Sequence, residues 1–328
     1  MTQNTPELEV SAVYQIPVIP YLRLRMTLEA EEPAVLPPFH GSMLRGAFGH
    51  ALRRTVCVMG PQQACASCLL RNACTYTRLF EPFIEGEPPP FLRGIDQAVR
   101  PYIFEPLGVD GRLERGDPLR FDLLLFGRAV ESQAYAFLAS ERMARVGLGS
   151  RRSRFSLARV EAVETDGSTR ELFAAGARPS TVPASPLVPS IAPLPPGSVA
   201  LTFQTPLRLK IRDHLNGQPS FRDLVFNILR RILELAHFHV PGAQSDWNFR
   251  GLLERTNAVG IVSSDLRWHD WERWSQRQNT KVKLGGLVGR LVLDGDLEPF
   301  TSLLRTAEVT HVGKAATFGM GKLEVQSA

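Results

Sequence analysis

Between Ala174 and Ser198 the chain holds seven prolines and a single charged residue, Arg178. Proline fixes φ and has no N–H to donate, so neither a helix interior nor a central strand runs through such a stretch. The segment reads as an extended connector, residues 174–198, and it divides the chain into residues 1–173 and 199–328. With 328 residues in all, each part is long enough to bury a core without disulfide staples.

Hydrophobic periodicity gives both parts the same order of elements. In the first, Leu22, Leu24, Met26 and Leu28 alternate with Arg23, Arg25 and Thr27, the mark of a strand with one buried face. From Gly41 to Cys57, Met43, Leu44, Ala47, Phe48, Ala51, Leu52 and Val56 recur at helical spacing and leave Arg45, Arg53 and Arg54 off the stripe. A strand over 119–126, a helix over 129–146, a GLGSRR turn and a strand over 154–164 follow. After the connector come a strand over 199–211 and a strong helix over 220–237. Strands over 258–268 and 281–293, a short helix over 297–304 and a glycine-rich turn into a last strand complete the chain. The expected class is α+β: tandem ferredoxin-like (RRM-like) domains, 1–173 and 199–328, rather than a doubly wound sheet.

Composition excludes other classes. A hydrophobic fraction of 44% and a charged fraction of 22% are globular values. The start, MTQNTPELEV, has neither a basic nor an apolar run, and apolar stretches are broken by Arg or Glu, so a cytoplasmic protein without a membrane span is expected. A net charge of +5 is too small to name a partner.

All four cysteines, Cys57, Cys65, Cys68 and Cys74, fall in one C-x7-C-x2-C-x5-C run. In a reducing compartment such clustering points to a metal, because tetrahedral sites take four soft ligands. A structural zinc is the first expectation, with an iron–sulfur cluster as the alternative. No His or carboxylate interrupts the run to leave an open position for chemistry.

The C-terminal segment HVGKAATFGMGKLEV sets Gly313, Gly319 and Gly321 beside Lys314 and Lys322. Glycines let a backbone approach a phosphate and present N–H groups, with lysines neutralising charge nearby. The Walker pattern is absent, and a dinucleotide fingerprint would open a helix rather than precede a terminal strand. Alone, the loop reads equally as a tight turn.

Three blocks, FHGSMLRGAFGHALRR with the cysteines and YTRLFEP, then WERWSQRQNTKVKLGGLVGRLVL, then HVGKAATFGMGKLEV, together resemble the CRISPR-associated precursor-crRNA-processing endoribonucleases of the RAMP superfamily. The resemblance implies tandem ferredoxin-like folds with the glycine-rich loop where RNA binds. It also implies cleavage of repeat RNA without a catalytic metal: a 2′-hydroxyl attacks the adjacent phosphate, leaving a 2′,3′-cyclic phosphate and a 5′-hydroxyl. Such a reaction needs a base, an acid and cations on the phosphorane.

The family places a catalytic His in or near the first helix, with Tyr or Lys assisting. Here His50 on that helix is the first candidate. Arg54 lies one turn on as a partner, His40 sits in the turn before the helix, and Tyr21 lies on the preceding strand. His214, His237 and His239 form a reserve, the last two explained more simply by a helix C-terminus.

RNA contacts are expected from Arg151, Arg152 and Arg154 with Arg142 and Arg145; from Arg273, Arg277 and Lys281 with Arg267 and Lys283; and from His311, Gly313, Lys314, Gly319, Gly321 and Lys322. Trp268, Trp271 and Trp274 are expected to fill the core before they stack on bases. The implied partners are CRISPR repeat RNA or crRNA and subunits of an effector complex. A non-catalytic crRNA-binding subunit is the second reading. A DNA-directed metal nuclease is the third, weakened by the lack of a carboxylate set for two-metal chemistry.

Overall fold

The computed structural model describes residues 16–328 except 61, 85, 96, 109–110, 178–179, 181, 212–213, 244–248, 271 and 276–279, with backbone only at 211, 272–275 and 280–283. The first half contains β1 (Tyr21–Ala30), β2 (Ala34–Val35), α1 (Gly41–Val56), α2 (Thr75–Phe80) and β3 (Tyr102–Leu107). It continues with β4 (Arg112–Leu113), β5 (Pro118–Phe126), α3 (Gln133–Val146), β6 (Phe155–Val163) and β7 (Thr169–Ala174). The second half runs β8 (Val199–Leu207), β9 (Lys210–Ile211), β10 (His214–Leu215), α4 (Phe221–His239), α5 (Phe249–Arg255), β11 (Val259–Ser264) and β12 (Arg267–His269). It ends with β13 (Glu272–Ser275), β14 (Thr280–Lys283), β15 (Gly286–Gly295), α6 (Thr301–Thr310) and β16 (Leu323–Ser327).

The two large sheets are antiparallel, ordered β3-β5-β1-β6-β7 and β11-β15-β8-β16. In each half the chain order is strand, helix, strand, strand, helix, strand, and the first strand lies between the third and the fourth. This is the ferredoxin-like topology, present twice.

The alternation of β1 works as its pattern requires. Leu22, Leu24, Met26 and Leu28 are buried against Leu44, Phe48, Ala51 and Leu52 of α1 and Ala136, Ala139 and Met143 of α3. Each such large side chain contributes roughly 1.5–3 kcal/mol. The other face of the same sheet carries Tyr21, Ile103, Leu124 and Phe126 into a second core with Leu224, Ile228, Ile232 and Leu235 of α4. The halves therefore share a core. α4 is held at its start by a capping box between Ser220 and Asp223.

Past Ala174, which closes β7, the described residues of the proline segment form no strand or helix, and the segment is tied down rather than loose. Leu187 exchanges backbone hydrogen bonds with Tyr21 (2.7 and 2.9 Å), the Gln133 side chain brackets Ala184, and the Arg305 guanidinium donates to the Ala192 and Pro193 carbonyls. The expected strand over 258–268 is split into β11 and β12, both paired with β15, and that over 281–293 into β14 and β15. β3, which periodicity did not reveal, pairs with β5 through its full length. Among the described residues no helix is long and apolar enough to cross a membrane.

Candidate functional site

The glycine-rich loop leaves α6 at His311 and returns into β16. Gly319 (φ +84°) and Gly321 (φ +68°) take left-handed conformations that a side chain would strain. A Cβ at Gly319 would lie 2.5 Å from the Phe104 carbonyl oxygen of β3, and one at Gly321 would lie 1.9 Å from the Val312 oxygen. These glycines thus serve close packing of the loop on itself and on the first half.

Both ends of the loop converge on one carboxylate. Glu105 of β3 is 2% exposed. His311 Nε2 meets its Oε1 at 2.9 Å, the Lys322 ammonium donates to Oε2 at 2.7 Å, and Arg23 lies 3.6 Å away. Burial alone would raise the Glu105 carboxyl, but the hydrogen bond and charge of His311, with Arg23 and Lys322, hold it far below the carboxylate range. His311 is fully buried, with its Nδ1 3.0 Å from the Met320 carbonyl. The expectation that His311 contacts RNA is therefore corrected: it lies inside the protein. Lys322 is likewise engaged with Glu105, whereas Lys314 is exposed at the loop tip. The signal missed in the sequence was Glu105, a lone acid in the apolar run YIFEPL.

The N-terminus of α1 backs onto this loop. A Cβ at Gly41 would stand 1.8 Å from the Phe318 carbonyl oxygen. Arg45, one turn on, stacks its guanidinium over Phe80 (4.3 Å to the centroid), lies 5.8 Å from the Phe318 ring centre and donates to the Tyr102 hydroxyl (3.3 Å). His40 occupies the N-cap position, buried, with Nδ1 2.5 Å from the Pro37 carbonyl. A carbonyl only accepts, so Nδ1 carries the proton, and burial holds the ring below its ordinary pKa. Neutral His40 therefore keeps the lone pair on Nε2.

His50 is exposed, ten residues further along and about 15 Å up the helix from the loop. Arg54 is exposed on the same face, its carbonyl accepting from Arg142. Tyr21 is buried in the shared core, its phenol raised by burial. The structure thus seats the end of α1 that carries His40, not the turn that carries His50, against the glycine-rich loop. Of the reserve, His239 is buried with Nε2 2.6 Å from the Val99 carbonyl and pushed down to about 4 by burial, a tie between the halves. His237 and His214 are exposed.

Arg151 and Arg152 are exposed on the turn after α3, and Arg154 pairs with Glu31 at 4.0 Å. Arg273 and Lys281 lie on the β13–β14 hairpin, and Arg277 lies outside the described residues. Trp268, expected in the core, is 42% exposed, its indole N–H donating to Asp270.

Burial raises the Cys65 thiol, Glu81 and the thiols of Cys74 and Cys57 add to the shift, and Arg53 opposes it. The donor chemistry suits a thiophilic metal. Yet among the described residues no three His, Cys, Asp or Glu side chains are gathered as a metal site requires.

Comparison with known proteins follows the same division. A family model described as an N-terminal domain matches residues 19–186, and the model of the CRISPR-associated endoribonuclease Cas6 matches residues 201–323. The likeness to the CRISPR-associated endoribonuclease family thus covers residues 201–323, less than half of the chain. Among solved structures, a Cas6 product complex is 18% identical (TM-score 0.56, covering 94% of this chain and 99% of the other). Cas6 of Thermus thermophilus is 16% identical (TM-score 0.52, 94% and 99%). A partial Cas6-RT-Cas1–Cas2 complex is 15% identical (TM-score 0.58, 96% and 47%). At these identities the likeness is one of fold. No curated protein matches the sequence.

Proposed function

We propose that this protein is an endoribonuclease of the RAMP superfamily that cuts CRISPR repeat RNA in precursor transcripts, by attack of the 2′-hydroxyl on the neighbouring phosphate. The observation that carries the reading is the close seat of the α1 N-terminus, with His40 at its cap, against the glycine-rich loop. His40 is the base or acid: the Pro37 carbonyl sets its tautomer and leaves Nε2 to take a proton from the 2′-hydroxyl. Arg45 and Lys314 supply positive charge for the phosphorane. His50 and Arg54, one exposed face of the same helix, bind RNA away from the cut. The reaction runs without a metal. The four thiols take up a structural metal, zinc or alternatively an iron–sulfur cluster, remote from the chemistry. RNA and CRISPR complexes are the proposed partners, since the structural relatives include a product complex and a partial Cas6-RT-Cas1–Cas2 complex.

The test incubates repeat RNA with the protein in EDTA. The expected result is one cut with a 2′,3′-cyclic phosphate end, lost in His40→Ala and kept in His50→Ala. The second reading, a crRNA-binding subunit that does not cut, has one observation on its side, the 2% exposure of His40. Tight repeat binding with no cut by the wild type would establish it.

A further inference from the structure

We infer that Glu105 is a positioning residue, which sets the shape of the glycine-rich loop from the opposite half of the chain and through it the loop's grip on RNA. The part concerning RNA rests on the function proposed above. Glu105 lies in the first half and its two principal partners, His311 and Lys322, are the first and last residues of the loop. Oε1 takes His311 and Oε2 takes Lys322, so a single buried carboxylate staples both ends. The middle of the loop rests on the same strand, since Gly319 packs on the Phe104 carbonyl, the residue before Glu105.

Two further features show that the loop's shape is imposed. His311 has φ +59° and ψ 169°, a conformation unusual for a residue with a side chain. Such a conformation persists where surrounding contacts over-determine it, and here Glu105 and the Met320 carbonyl grip both ring nitrogens. Second, Arg23 of β1 turns its guanidinium toward Glu105 while its Nε makes no hydrogen bond. Without the carboxylate, Arg23 and Lys322 would face each other around His311 with no counter-charge in a buried place. The loop end has then every reason to leave.

The experiment uses the full chain with Glu105→Gln, Lys322→Met and the double variant. Hydrogen exchange of peptides covering 311–322 is expected to speed up about tenfold or more in Glu105→Gln, with peptides of α3 unchanged. On repeat RNA, KM should rise about tenfold while the single-turnover rate at saturation changes less than about threefold. Lys322→Met keeps the Glu105–His311 contact and should loosen the loop less. The double variant should be no worse than Glu105→Gln alone, because both changes act on one contact. Loop exchange equal to wild type in Glu105→Gln, or additive effects in the double variant, would overturn the inference. Should Glu105→Gln not fold, loop exchange in Lys322→Met decides alone: faster exchange supports the staple and wild-type exchange refutes it. If the wild type neither binds nor cuts repeat RNA, the proposed function falls while hydrogen exchange still judges the staple.

Discussion

Two glycines of α1 offer a matched pair of identical substitutions with opposite expected signs. Gly46 lies mid-helix with nothing within 4 Å of the position a Cβ would take. Gly46→Ala therefore adds only helix propensity and should stabilise by about 1 kcal/mol. Five residues earlier, a Cβ at Gly41 would stand 1.8 Å from the Phe318 oxygen and 2.7 Å from its carbonyl carbon. Ordinary contact begins at 3.4 Å, and the obstacle is backbone rather than a flexible side-chain end. Helix and loop must separate by about 1.5 Å, a change of the kind that costs roughly 1–3 kcal/mol in a packed site. The two variants should thus differ by about 2–4 kcal/mol in urea denaturation, read as a shift in midpoint at unchanged m-value. Gly49→Ala should also destabilise, since its Cβ would stand 2.1 Å from the Phe80 ring, which is buried and stacked on Tyr76 and Tyr102. Equal stability of Gly41→Ala and Gly46→Ala would refute the claim that α1 and the glycine-rich loop are in backbone contact.

Other outcomes follow from the same geometry. His239 is held neutral by burial, pushed down to about 4 from 6.5. A folded pKa below the unfolded one means that stability is complete above about pH 6.5 and is lost as pH falls toward 4, here by about 3 kcal/mol. His239→Gln, which retains an N–H for the Val99 carbonyl, should flatten melting temperature against pH across that window; an unchanged profile would show that His239 is not the titrating group. Lys314→Ala should lower the salt slope of repeat-RNA binding by about one unit, and a slope equal to wild type would remove this exposed lysine from the RNA surface. Protein purified without chelator should carry zinc or iron in stoichiometric amount, released by replacing Cys57, Cys65, Cys68 and Cys74 with Ser; metal-free protein with unaltered melting would refute a structural metal.

Much of the scaffold is written in local pattern. The alternation of β1, the stripe of α1 and the apolar face of the helix expected over 220–237 depend on residues within a few positions of one another, and the structure contains them where the pattern places them. The glycine-rich segment is equally visible, although its glycines pack on protein backbone at Phe104 and Val312. Less legible were β3, whose run YIFEPL is interrupted by an acid and a proline, and the splitting of the strand expected over 258–268. In both cases pairing with a neighbouring strand, not local alternation, decides the outcome.

The candidate site shows the same division more sharply. Sequence alone determined that a histidine pair brackets the first half of α1, that a glycine-rich loop with two lysines ends the chain, and that two similar halves flank a proline connector, because each is a matter of residue type and short-range period. Which end of α1 meets the loop, and that His311 and Lys322 turn inward to Glu105, were decided only by the tertiary structure. Glu105 and His311 are 206 positions apart. No periodicity reaches that far, and their contact exists because both halves bury one shared core, which brings β3 and the loop together.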